Sequence, residues 1–196
     1  MTRLDKWFGG LLLGFVILIG CFCVGWWVAF ICRLDVMLGA IAGAVFGLVA
    51  DILVLWWLLP RLFDLKWIPL IFFHLLYSVF IFGFFMGVPV FIVCMGLIAG
   101  WYIGRRYHVK GADASAFRRA RIRTQLWCAF VLFSACTASA YIALTDPTTA
   151  QNIQGMFSLD FEVTRDMIWG IILAGGSVLL LVQALFVRLA ANVFYR

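Results

Sequence analysis

An all-α, polytopic transmembrane helical bundle of about six spans, with N- and C-termini cytoplasmic, is the architecture the sequence predicts. Three observations predict it. First, 66% of the 196 residues are apolar and only 12% are charged, with a mean hydropathy of +1.09. A soluble domain carries roughly 25% charged residues because its surface faces water, so lipid must be the main solvent around the apolar faces. Second, the apolar runs are continuous rather than alternating, which selects helices over a β-barrel. Third, the basic residues are confined to short segments between those runs, the pattern that sets topology.

The first span is expected over residues 7–32 and the second over 36–59, with Arg33 and Asp35 marking the turn between them. Arg3 and Lys6 followed by an apolar run imitate a signal peptide, and Leu18-Ile19-Gly20-Cys21 imitates a lipoprotein cleavage box. The run nevertheless continues through Trp26, Trp27 and Ile31, too far for an h-region, so it reads as a retained helix. Residues 60–66 form the next polar break. The apolar stretch 67–104 would measure about 57 Å as one helix, nearly twice a hydrocarbon core of about 30 Å. It should therefore fold back near Gly83–Pro89, where Gly87 suits a turn and Pro89 the first turn of a helix. This divides it into spans 67–84 and 88–104. A basic cytoplasmic loop, 105–124, precedes the fifth span, 125–144, although Asp113 is a candidate N-cap that would start that helix early. The acidic outer loop 145–166 mixes Asp146, Asp160, Glu162 and Asp166 with Met156, Phe157, Leu159 and Phe161, which suits a short interfacial helix or lid. The last span covers 167–189, and residues 1–196 read as a single transmembrane domain.

Six spans with the N-terminus inside place 13 of the 15 Lys/Arg residues on the cytoplasmic side, leaving only Arg33 and Arg165 outside. Trp7, Trp56, Trp57, Trp67, Trp101 and Trp127 then gather near the cytoplasmic interface as an aromatic belt. This distribution also removes nucleic acid as the reason for the net charge of +6. Arg118, Arg119, Arg121 and Arg123 should meet anionic lipid headgroups or dock a partner. The expected partners are thus the bilayer itself, membrane or cytoplasmic partner subunits, or a second copy of the chain. The expected location is the plasma (inner) membrane of a prokaryote.

Glycines recur at helical spacing. Gly39, Gly43 and Gly47 on the second span and Gly96, Gly100 and Gly104 on the fourth both fit G-x-I-A-G-x-x-x-G. Glycines four apart lie on one helix face and let two backbones approach closely, so both series read as packing stripes rather than marks of a duplication. Asp51 continues the first series and is the only acid expected deep in a span, which turns it into the bundle. His74 is the only histidine in a span. Asp51 lies nine residues before Pro60, or about 13 Å, and His74 seven after Trp67, or about 10 Å, so a hairpin sets them at one depth. Tyr77 and Ser78 share the His74 face at i+3 and i+4. An ionised Asp at a span centre costs on the order of 3 kcal/mol or more. A polar cluster of Asp51, His74, Tyr77 and Ser78 therefore suggests a proton or cation pathway, or a buried hydrogen bond that fixes helix register.

No enzyme signature is present: no Ser/His pair in G-x-S-x-G context, no paired intramembrane aspartates, no H-E-x-x-H and no nucleotide-binding glycine loop. The six cysteines have neither CxxC nor zinc-like spacing, so no metal and no cofactor are assigned. The expected function is a small transporter, or the membrane subunit of a transport system. The alternative is a noncatalytic scaffold or assembly subunit of a larger membrane complex.

Overall fold

A computed structural model describes residues 2–158 and 160–196, except for the side chains of Met156 and Phe157. Those two side chains and Leu159, which the sequence places in the acidic segment, lie outside the described residues. Every regular element among the described residues is helical: α1 (Arg3–Ile31), α2 (Val36–Leu58), α3 (Trp67–Phe84), α4 (Met95–Val109), α5 (Ala114–Thr145), α6 (Thr149–Phe157) and α7 (Arg165–Tyr195). Two 3₁₀ segments, Leu59–Asp64 and Pro89–Cys94, precede α3 and α4.

Among the described residues, five helices are long and apolar enough to cross a membrane: α1, α2 with its 3₁₀ extension, α3, α5 and α7. Mid-helix side chains such as Ile52 (71% exposed), Leu173 (64%) and Leu181 (67%) face outward. A surface of that kind suits hydrocarbon rather than water. The chain is an integral membrane protein.

The segment expected as the fourth span is composite, six residues of 3₁₀ helix followed by the fifteen of α4. At about 2.0 Å and 1.5 Å per residue the two together reach roughly 34 Å. Pro89 opens the 3₁₀ segment at its first turn, where a missing N–H leaves no bond unmade. Immediately before it the chain reverses through Met86 (φ 53°) and Gly87 (φ 81°), with the Gly87 N–H donating to the Phe82 carbonyl at 2.7 Å. Residues 105–124, expected as a loop, are instead helical except around 110–113. Arginine and alanine are strong helix formers, and charge restricts depth in a membrane rather than helicity. Gly111 (φ 58°) turns the chain between α4 and α5. Asp113 precedes α5 and accepts from the Ser115 hydroxyl, which holds its carboxyl below the usual carboxylate range.

The chain divides into two compact units, Met1–Pro69 and Leu70–Arg196. In the first, Thr2 and Asp5 form a capping box that starts α1. Arg33 (φ 54°) ends α1 as the Leu34 N–H returns to the Ala29 carbonyl at 2.8 Å, and Asp35 Oδ1 accepts from the Leu38 N–H at 3.0 Å to start α2. The two helices touch through their backbones. Gly39 lies on Gly25 and Ala29, Gly43 on Cys21 and Gly25, and Gly47 on Leu18 and Cys21. Any side chain at Gly43 would enter the Cys21 carbonyl.

In the second unit, α4 packs on α7. Gly96 meets Gln183 and Val187, Gly100 meets Val187 and Ala190, and Gly104 meets Ala191 and Phe194. The first stripe thus lies against the helix before it and the second against the last helix of the chain, so the two are not equivalent halves of a repeat. Ile92, Val93 and Leu132 form a buried core joined by Phe82, Leu179 and Phe186. Trp101, expected in the aromatic belt, is buried inside this unit, while Trp7, Trp56 and Trp57 are exposed.

Substituting Gly43→Ala should lower stability by about 1–3 kcal/mol, the usual penalty for overpacking. Gly20→Ala, where a methyl group meets open space, should stay within about 1 kcal/mol of the parent. Reversible unfolding in mixed micelles measures both, and equal losses would contradict the backbone contact.

Candidate functional site

Asp51 continues the face of α2 that packs on α1, one turn beyond Gly47. Opposite it stands Gly14. A Cβ built there would lie 3.5 Å from Asp51 Oδ2 and 3.8 Å from Oδ1, so the carboxylate occupies space that a larger residue 14 would claim. Asp51 is 9% exposed, and its Oδ1 is buried without a hydrogen-bond partner. Such an atom is costly in a low-dielectric layer unless water, a proton or a cation meets it.

His74 lies on α3 in the second unit, 8% exposed, with Nε2 buried and unbonded. Its ring sits 6.5 Å from that of Trp127 on α5, tilted by 59°. Ser78, one turn further along α3, is buried too. Its hydroxyl donates to the His74 carbonyl at 2.8 Å, the back-bond that hydroxyls in apolar helices commonly make. Tyr77 is half-buried on the same helix. His74 and Ser78 therefore share a buried face, while Asp51 belongs to the first unit.

Two polar contributors carried little signal in the sequence. Gln183 on α7 is 1% exposed; its Nε2 makes a long contact of 3.5 Å to the Ile92 carbonyl in the 3₁₀ segment, and its Oε1 has no partner. Gln125 on α5 donates to the Ala184 carbonyl at 3.0 Å. A lone glutamine in an apolar run reveals nothing of the carbonyl that will face it. Gly14 is marked in the sequence as a packing position by the Gly10-Leu-Leu-Leu-Gly14 spacing, which does not reveal that a carboxylate will face it.

Among the described residues no group of three or more His, Cys, Asp or Glu side chains is arranged to hold a metal ion. The six cysteines are free thiols. The chain matches no protein-family model, no curated protein and no solved structure. The site must be read from its own chemistry.

Because the Ser78 hydroxyl is committed to its own helix, Ser78→Ala should change stability by less than about 1 kcal/mol. Thermal unfolding in detergent tests this, and a larger loss would mean that the hydroxyl has a further partner.

Proposed function

We propose that the protein is a small transporter, or the membrane subunit of a transport system, and that Asp51 is the group through which a proton or small cation passes. One observation carries this reading: a carboxylate within a membrane helix is buried against α1 while Oδ1 has no hydrogen-bond partner among the described residues. A carboxylate kept only to fix helix register should have its acceptors satisfied, since an unmade bond in this layer costs on the order of 1–3 kcal/mol. An acceptor left open suits a particle that comes and goes.

His74 is the second element of the proposal. It lies on α3 in the second unit, and its buried, unbonded Nε2 gives it a free position for a proton. The arginine-rich 105–124 segment would mark the cytoplasmic side of a prokaryotic plasma membrane by the positive-inside rule, with both termini on that side.

The test uses the full chain in proteoliposomes loaded with a pH-sensitive dye, under an imposed proton gradient and potassium diffusion potential. Collapse of the gradient should exceed that of empty vesicles. Asp51→Asn should reduce the excess by at least about tenfold, the loss of one essential protonatable group. His74→Ala should reduce it as well, and the double variant should lose no more than Asp51→Asn alone if the two act together. Unchanged flux in Asp51→Asn with normal folding removes the site. Lost assembly without a flux phenotype favours the scaffold.

A further inference from the structure

The basic residues near the start of α5 are not equivalent, and one unanticipated arginine joins them from the last helix. Arg119 has an acidic neighbour in Asp113, whose carboxylate it helps hold ionised. Arg121 has none. Its Nη1 donates to Asn192 Oδ1 at 2.6 Å across the α5–α7 contact, its Nε is buried and unbonded, and the charges near it are the guanidiniums of Arg118 and Arg188.

The hydrogen bonds explain why Arg188 arrives there. Gln125 reaches Ala184 and Arg121 reaches Asn192, while Phe117 stacks on Tyr195 with ring centroids 3.9 Å apart. Residues 184, 188 and 192 lie one turn apart on α7, so the two bonds bracket Arg188 and hold it between the levels of Gln125 and Arg121. Gathering three guanidiniums costs energy in an apolar setting unless an anion joins them.

The neighbouring surface says what that anion is attached to. Arg118 heads an i+4 series on α5, Ile122, Leu126 and Phe130, all exposed. On α7, Arg188 follows the exposed Leu181 and Leu185 and precedes the exposed Leu189. Arg118 therefore ends a stripe of outward hydrocarbon on α5, and Arg188 stands beside one on α7, both on membrane-crossing helices. We infer that Arg118, Arg121 and Arg188 form a binding site for the headgroup phosphate of an anionic phospholipid whose acyl chains lie along the α5 and α7 stripes. Guanidiniums suit this role because their forked donors match phosphate oxygens in pairs. A soluble anion would leave the stripes unused, and a zwitterionic lipid would bring a positive group into the cluster.

Native mass spectrometry of the detergent-solubilised full chain, offered phosphatidylglycerol and phosphatidylcholine in equal amounts, tests the site. The wild type should retain phosphatidylglycerol in at least fivefold preference, and 0.5 M sodium chloride should largely abolish that preference. The Arg118→Gln/Arg188→Gln pair should bring the ratio near one, whereas Arg119→Gln and Arg188→Lys should keep most of it. Equal retention of the two lipids by the wild type overturns the proposal, and so does a preference indifferent to salt or to the double variant. Displacement of phosphatidylglycerol by inorganic phosphate at millimolar concentration would overturn it in favour of a free-anion site. The salt dependence needs only the wild-type protein, so the inference is testable even if the double variant does not fold.

Discussion

Within hydrocarbon, one apolar side chain gains little by exchanging a lipid tail for another apolar side chain, so neighbouring helices are held by how closely they can approach. The contact of α1 with α2 is built on that constraint. Gly39, Gly43 and Gly47 remove side chains from one helix, and the backbone at Cys21 and Gly25 fills the gap. The position of Asp51 follows from the same ladder. One turn past Gly47 the facing residue is Gly14, and the carboxylate takes the volume that two close backbones leave between them. Packing and the placement of an ionisable group are here one feature of the sequence.

The second unit uses the same spacing of glycines but adds polar ties. Gln183 leans on the carbonyl of Ile92 and Gln125 on that of Ala184, while Arg121 reaches Asn192. At the far end of α7 the Tyr195 hydroxyl donates to the Ala112 carbonyl, and its ring stacks on Phe117. These bonds fix the rotation of α7 about its own axis as well as its distance. That rotation decides which side chains meet α4 and which turn outward, and it carries Arg188 to its place near Arg121.

The class of fold was legible because composition alone excludes a water-facing shell. The ends of α2 and α3 were legible for a local reason: Asp35, Pro60 and Lys66 interrupt the apolar runs where the helices stop and start. The reach of α5 was not, since hydropathy reports depth in a membrane, whereas the arginines of 118–123 are compatible with helix at any depth where water reaches them. The glycine series on α2 and α4 stand out in the letters, but their partners do not. Leu18 and Cys21 take part through backbone atoms, and nothing in the sequence directs Gly96 to a helix that begins at Arg165. Asp51 and His74 were visible because ionisable residues are rare in apolar runs. The absence of a bonding partner for either atom is a fact of three dimensions.

The two glycine stripes also close at different moments in the life of the chain. α2 follows α1 after a short turn, so its stripe meets its complement as soon as the hairpin leaves the ribosome. The face of α4 waits for α7: Gln183 is 91 residues beyond Ile92, which at about 5–20 residues per second is a delay of roughly 5–20 s. Throughout that interval a groove shaped for a close helix, and a carbonyl meant for an amide, stand open to any passing segment in the bilayer. Biogenesis of the second half therefore depends on keeping strangers out of α4 until its own last helix arrives.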